Sequence, residues 1–209
     1  MGRRHAGRAA VVVVALFAGR LGTAWGQGPG QAAPPASEKR WVVDVVHSQI
    51  DFRVRHLVGR VRGTFTNWYA IIVTGNRDWL QGKVNVTVQT ASLNTGNAYR
   101  DADLRSQRFF GVDSFPEMTF LGTGIAASDT TIEIIGLLTI KAHTRPVTFR
   151  GTYRGVAKDA QGQERIAFEA TTALDRRDFG ITWNAAVGET SLIGNEVEIT
   201  IALEAARVN

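Results

Sequence analysis

Alternation of apolar and polar residues with a period of two recurs in eight segments of this chain and constrains its fold more than any other feature. The segments lie near residues 48–56, 60–74, 83–93, 117–125, 131–141, 145–156, 164–174 and 195–206. In the last segment Val197, Ile199 and Ile201 alternate with polar residues, so the strand has one apolar and one polar face. Short connections between such strands favour an antiparallel meander.

Two architectures accommodate eight strands of this kind, a β-sandwich and a closed up-and-down barrel. Sandwiches generally need crossing connections between their sheets, so sequential hairpins favour the barrel. The segment 60–74 is long enough for about 50 Å of strand, which predicts one coiled strand with its bend at Gly63. We therefore predict an all-β fold, an eight-stranded antiparallel barrel.

One connection is much longer than a turn requires. Good helix formers run from Ala98 to Phe110, with Asn97 as the N-cap and Gly111 as the stop. The segment predicts a short helix that ends in Phe109 and Phe110 and lies across one end of the barrel as a lid.

The first 26 residues have the parts of a secretory signal peptide. Arg3 and Arg4 precede the apolar run 9–18, and Ala24 and Gly26 supply the small residues of a cleavage site. The run is shorter than the roughly 20 apolar residues that span a bilayer, which favours cleavage over a retained anchor. The domain prediction is therefore a signal peptide over 1–26, a flexible Gly/Pro/Ala-rich linker over 27–39 and one barrel domain over 40–207.

Cleavage also changes the charge of the chain. Of 24 basic residues, four lie in the signal segment, which leaves 20 basic against 19 acidic residues in the mature chain. The near-neutral balance removes the main support for a nucleic-acid partner. With no cysteine, the domain depends on its core rather than on disulfides.

Five ordered sequence blocks resemble the YceI-like, polyisoprenoid-binding family. They are HSQIDFRVRHLVGRVRGTF (47–65), SLNTGNAYRDADLRSQRFF (92–110), FPEMTF (115–120), GLLTIKAHTRPV (136–147) and LDRRDFGI (174–181). The resemblance covers nearly the whole domain. It implies a lipocalin-like barrel in the bacterial periplasm that binds a polyisoprenoid, a quinone-like molecule or another long-chain amphiphilic lipid.

The predicted ligand-binding residues occupy inward positions of their strands. The tail of the lipid is expected among Phe52, Val54, Phe65, Met118, Phe120, Phe149 and Phe168, under the lid residues Phe109 and Phe110. Glycines on the same parity either leave room or mark bends, so composition alone does not separate a tunnel from a packed core. The resemblance favours the tunnel.

Polar residues near the ends of the strands offer two interpretations. His56 shares the inward parity of its strand, where it is either a satisfied polar group or a contact for a lipid head group. Arg105 or Arg108 on the lid is a candidate for binding a phosphate or another polar head. Alternatively the charged clusters form ion pairs, with Arg100 or Arg105 bonded to Asp175 or Asp178.

We predict a non-catalytic carrier with no catalytic residue, no metal and no cofactor, and with no membrane span after cleavage. Asp101 and Asp178 are a conceivable acid/base pair, but no nucleophile or metal motif accompanies them. The histidines lack the spacing of a compact metal site. The alternatives are an enzyme acting on a lipid or isoprenoid substrate, a ligand-free structural barrel and an outer-membrane barrel. A homodimer is a further possible assembly.

Overall fold

The computed structural model describes residues 38–75, 82–128, 130–187 and 190–208. The predicted signal peptide and residues 27–37 of the predicted linker lie outside this part of the chain. The strands, numbered in chain order, are Lys39–Val43 (β1), Gln49–His56 (β2), Gly59–Phe65 (β3), Trp68–Thr74 (β4), Lys83–Gln89 (β5), Leu93–Asn94 (β6), Glu117–Ala127 (β7), Thr131–Ile140 (β8), His143–Lys158 (β9), Glu164–Asp175 (β10), Ala186–Val187 (β11), Thr190–Ser191 (β12) and Ile193–Val208 (β13). The helices are the α-helix Ala98–Arg105 (α1) and two 3-10 helices, Thr90–Ser92 and Arg176–Phe179.

The main sheet closes on itself because β13 pairs with the first strands of the chain. Trp41 in β1 lies opposite Arg207, and Phe52 in β2 lies opposite Ile199 on the same edge of β13. The first position of the ring is shared by β1 and β2, the second by β4 and β3, and the third by β5 and β6. The strands β7, β8, β9, β10 and β13 follow in that order, and all pairings are antiparallel. The predicted eight-stranded antiparallel barrel is confirmed.

Three neighbouring strands of the barrel are interrupted at one level. The breaks lie at 44–48 between β1 and β2, at 66–67 between β3 and β4, and at 90–92 between β5 and β6. Hydrogen bonds join the last two breaks, since the Thr66 N–H donates to the Ser92 carbonyl. The breaks divide the barrel into one level walled by β1, β4 and β5 and another walled by β2, β3 and the two-residue β6.

The prediction of one continuous strand over 60–74, bent at Gly63, is wrong. Phe65 and Trp68 are both buried, and residues three apart cannot share a face of a strand whose side chains alternate with a period of two. The chain therefore breaks between them. Gly63 makes room for a ring instead, because a Cβ there would lie 2.3 Å from Cζ of Phe52.

The level that contains β1, β4 and β5 is filled by side chains. Trp41, Ile72, Phe149 and Phe168 are each at most 4% exposed. The Trp41 indole donates a hydrogen bond of 3.1 Å to the Thr74 hydroxyl, so its one polar atom is satisfied. Apolar side chains thus close this end of the barrel interior.

The helix begins where the sequence predicts and ends earlier. The Asn97 side chain accepts a hydrogen bond of 3.0 Å from the Arg100 N–H, which makes Asn97 the N-cap. The helix stops at Arg105 rather than at Phe110, because the Ser106 N–H and hydroxyl both donate to the Asp103 carbonyl. Turns after Ser106 then carry Phe109 and Phe110. No helix in the described residues is long and apolar enough to cross a membrane.

Candidate functional site

A cavity of about 620 Å³ opens at the level of the barrel walled by β2 and β3. The start of β13 forms the next wall, α1 and the turns after it form another, and residues 174–183 complete the lining. Most of the lining side chains are apolar. Small-molecule sites commonly have this size and character.

Eight of the twelve predicted ligand-binding residues line this cavity, six of them apolar and two polar. The apolar residues are Phe52, Val54, Phe65, Phe109, Phe110 and Met118, and the polar residues are His56 and Arg108. His56 is exposed and its ring makes no hydrogen bond within the described residues, so the structure does not show the satisfied polar group of the alternative interpretation. The β2–β3 hairpin and the lid therefore supply most of the predicted residues that reach the cavity.

Phe120, Phe149 and Phe168 do not line this cavity, so their predicted placement is wrong. They surround a separate void of about 20 Å³ at the filled level of the barrel. The rings of Phe120 and Phe149 meet edge to face with centroids 5.3 Å apart. A Cβ on Gly136 would lie 2.6 Å from Cζ of Phe120, so this glycine accommodates a core ring rather than a ligand.

Much of the cavity wall comes from residues in the C-terminal third of the chain that were not predicted from the sequence. Leu174, Phe179 and Trp183 line the cavity, as do Val197 and Ile199 of β13. The apolar parity of β13 was visible in the sequence and could have indicated the last two. Trp183 lies outside any alternating segment and gave no such signal.

The lid closes one side of the cavity through aromatic contacts. Phe109 is 4% exposed and its ring centroid lies 5.3 Å from that of Trp183. Phe110 meets Phe65 edge to face at 5.9 Å. The Arg108 guanidinium lies 4.4 Å from the centre of the Trp183 ring, within the range of a cation–π contact. The lid thus packs onto both β3 and Trp183.

The predicted roles of the lid arginines need correction. Arg105 is not free to bind a head group, because it donates to the carbonyls of Ala91 (2.8 Å) and Leu93 (2.6 Å) and holds α1 against β6. Arg108 lines the cavity but is paired with Asp103. Its charge is therefore partly neutralised at the site.

The predicted ion pairs between the two charged clusters are also wrong. Arg100 donates to the hydroxyl and the carbonyl of Thr95, and Asp175 is paired with Arg177. The Arg177 guanidinium bonds to both carboxylate oxygens of Asp175, which is two residues away, so that carboxylate already has a cationic partner. The two segments meet instead through Trp183.

Arg176 is a buried cation in the cavity wall, only 5% exposed. It donates to the carbonyls of Gly194 (2.9 Å), Ile181 (2.7 Å) and Trp183 (2.8 Å) and to the side chain of Asn195 (3.2 Å). Burial lowers the pKa of this guanidinium. Its bonds tie the residues after β10 to the start of β13, which positions Trp183 beside the lid.

The carboxylates considered as an acid/base pair are not arranged for catalysis in the cavity. Asp101 is buried and accepts hydrogen bonds from the Thr95 N–H and hydroxyl. Neither Asp101 nor Asp178 lines the cavity. Asp101 therefore orients the chain that enters α1.

One cluster in the described residues has the donor set of a metal site. Ligand atoms of Asp44, His47 and Glu204 lie within 4.8 Å of one another, away from the cavity lining. The Arg165 guanidinium donates to Asp44 at 2.9 Å and to Glu204 at 2.7 Å. Hydrogen bonds from His47 and Arg165 lower the pKa of Asp44 to about 2. The carboxylates therefore already have a cationic partner.

Known proteins share both the sequence pattern and the fold. A family model described as the YceI-like domain matches residues 41–205. Protein YceI of Salmonella arizonae is 35% identical over 159 residues, which cover 76% of this chain and 81% of that protein.

Two solved structures have the same barrel. BcnA of Burkholderia cenocepacia superposes with a TM-score of 0.65 at 23% identity, over 78% of this chain and 98% of that one. A polyisoprenoid binding domain from Saccharophagus degradans, implicated in plant cell wall breakdown, gives a TM-score of 0.62 at 12% identity, over 84% of this chain and all of that one. At these identities the two structures establish the fold.

Proposed function

The chain belongs to the YceI-like family, and from this premise we propose that it is a non-catalytic carrier for a long-chain amphiphilic lipid. The observation that carries the proposal is the apolar cavity of about 620 Å³ under the lid. Burying an apolar chain there removes hydrocarbon from water, which stabilises the complex by about 25 cal/mol per Å². The polyisoprenoid binding domain of Saccharophagus degradans, which shares this fold, supports an isoprenoid tail for the ligand.

The arrangement of polar groups supports binding rather than catalysis. Arg108 is paired with Asp103, and Arg176 is bonded to backbone carbonyls and Asn195. These groups fix the walls of the cavity. A head group would meet the more polar mouth, where His56, Tyr99 and Arg55 are exposed.

We place this carrier in the periplasm. The support is the charge, apolar run and small residues of the N-terminal 26 residues, which have the pattern of a cleavable signal peptide. N-terminal sequencing of the exported protein should find Gln27 at or near its start.

The decisive experiment measures lipid bound to protein purified from its own host without detergent. Native mass spectrometry should show one long-chain lipid per chain, and it will also report whether the protein is a homodimer. Leu174→Trp should reduce the bound lipid severalfold, because the indole fills the cavity that Leu174 lines. Ala173→Trp is the matched control, since Ala173 is the exposed neighbour of Leu174 in β10.

Lipid-free wild-type protein would contradict the proposal and favour a structural barrel. Equal lipid in Leu174→Trp and Ala173→Trp would place the ligand elsewhere. Conversion of an added isoprenoid lipid by the purified protein would favour the enzyme alternative.

A further inference from the structure

The tip of the β2–β3 hairpin exposes two apolar residues that the fold does not cover. His56 pairs with Gly59, so Leu57 and Val58 are the two turn residues. Val58 is fully exposed, and Leu57 is 36% exposed. Single exposed apolar residues are common, but two in succession at the end of a projecting hairpin form a compact apolar point.

Leu57 occupies a strained backbone conformation in this turn. Leu57 has φ of 51°, a left-handed conformation that glycine, asparagine or aspartate usually occupies in two-residue hairpin turns. A leucine in this conformation destabilises the turn, and the neighbouring Val58 makes no buried contact that would offset the cost. Backbone strain of this kind is found at sites that contact other molecules.

The tip stands beside the mouth of the cavity. Val54, His56 and Val61 of the same hairpin line the cavity. The Leu57 N–H donates to the carbonyl of Leu192, which is also a lining residue. Tyr99 of α1 lines the cavity as well and is 91% exposed. Whatever surface the tip contacts is therefore brought to the opening through which a ligand passes.

Four arginines lie on the two strands that lead to the apolar tip. Arg53 and Arg55 lie on β2, and Arg60 and Arg62 lie on β3. The facing end of β13 supplies Glu196 and Glu198, of which Glu198 is paired with Arg53 and Arg60.

Two of these arginines have no carboxylate partner. Arg55 donates only to the carbonyls of Leu57 and Ser191, and Arg62 makes no hydrogen bond or ion pair within the described residues. The hairpin is thus basic, although the mature chain as a whole is nearly neutral.

We propose that this hairpin, with Leu57 and Val58 at its tip and Arg55, Arg60 and Arg62 behind them, docks the protein on an anionic phospholipid surface. Apolar residues that enter the interface while arginines remain at the head groups are the usual arrangement of proteins that bind reversibly to membranes. Docking would hold the cavity mouth at the bilayer, where lipid enters or leaves. The inference goes beyond the proposed function, because docking requires no ligand in the cavity.

The test is flotation of the exported protein with vesicles of phosphatidylglycerol and phosphatidylcholine, and with vesicles of phosphatidylcholine alone. Wild-type protein should float with the anionic vesicles only, and added salt should release it because it screens the arginines. Val58→Asp should lower the bound fraction at anionic vesicles by about tenfold or more, since it replaces an inserted apolar group by a charge that the surface repels.

Val46→Asp is the matched control. Val46 is 83% exposed and precedes β2, whereas Val58 follows the other end of that strand. The control should bind vesicles as the wild type does.

Leu57→Gly separates docking from folding. It removes strain at a positive φ, so its thermal unfolding temperature should be equal to or above that of the wild type while its vesicle binding falls. The proposal is overturned if the wild type ignores anionic vesicles, if it binds neutral vesicles equally, or if Val58→Asp and Val46→Asp behave alike. Lipid bound in the cavity, measured separately, would be unaffected by these outcomes.

Discussion

At the scale of single residues, Arg165 pairs with three carboxylates, more than any other cation in the described residues. Its guanidinium donates to Asp159 and Asp44 at 2.9 Å and to Glu204 at 2.7 Å. These contacts join β10, the turn between β9 and β10, the break between β1 and β2, and β13. Hydrogen bonds from His47 and then from Arg165 lower the pKa of Asp44, and the hydrogen bond from Arg165 lowers the pKa of Asp159.

The depressed pKa of Asp44 predicts a loss of stability in acid. The ordinary pKa of this carboxyl is 3.8 and the folded value is about 2. Its contribution to stability is therefore complete above pH 3.8 and is lost as the pH falls toward 2, because the unfolded state binds the proton first. Denaturant unfolding across this range should show a falling free energy of unfolding, and Asp44→Asn should make the fall shallower.

Asp113→Asn is the control for this titration, since Asp113 is exposed and makes no ion pair in the described part of the chain. An Asp44→Asn protein with the same acid profile as the wild type and the control would show that the ionisation of Asp44 does not contribute to stability in acid.

At the scale of elements, the lid is a short helix held by specific contacts at both ends. Eight residues are too few for a stable isolated helix in water. Asn97 caps the first turn, and Arg105 anchors the last turn to the carbonyls of Ala91 and Leu93. Beyond the helix, Phe109 and Arg108 contact Trp183. The stability of the lid thus depends on its N-cap, on the hydrogen bonds of Arg105 and on aromatic contacts with Trp183 and Phe65.

Removing the cap should loosen the lid without unfolding the barrel. Asn97→Ala should cost about 1 kcal/mol of local stability. Amide hydrogens of α1 should then exchange about fivefold faster, and bound lipid should be released faster. Asn97→Asp is the control, because its carboxylate can accept the same bond from the Arg100 N–H. Equal exchange in Asn97→Ala and Asn97→Asp would mean that tertiary contacts alone hold the helix.

At the scale of the whole molecule, the barrel has one filled level and one hollow level. Trp41, Ile72 and Phe149 occupy the filled level, each at most 3% exposed. The cavity of about 620 Å³ occupies the level of β2 and β3. The aligned breaks in the first three strands of the ring separate the two. The close-packed side chains of the filled level supply stability that the hollow level does not.

Because one level is filled and the other hollow, enlarging a side chain to Trp should destabilise the filled level much more than the hollow one. In delipidated protein, Phe149→Trp should cost about 1 to 3 kcal/mol of unfolding free energy, because a close-packed level cannot absorb extra ring atoms. Leu174→Trp should change it by less than about 1 kcal/mol, since its added atoms enter the cavity. Delipidation is needed because a bound ligand raises apparent stability. Equal and large losses in both variants would show that the second level is packed as well.

The sequence by itself determined the local features of this protein. Period-two alternation depends only on neighbouring residues along a strand, so it predicted eight strands. The short connections between them favoured a closed antiparallel barrel over a sandwich. The Asn97 cap is equally local, since it joins a side chain to a backbone N–H three residues away. The change of inward parity between Phe65 and Trp68 was readable too, although the length of the segment favoured one strand.

Only the tertiary structure decided which inward residues meet a cavity. Phe52 and Phe120 share an inward parity, yet one lines the cavity and the other belongs to the filled level. Their heights in the barrel follow from the register of all the strands around the closed ring, which no single segment contains. The partners of Arg105 were hidden for the same reason, because the carbonyls of Ala91 and Leu93 are presented by a break in the sheet. Alternation fixes which face a side chain takes, whereas closure of the barrel fixes its level and therefore whether it meets packed side chains or the cavity.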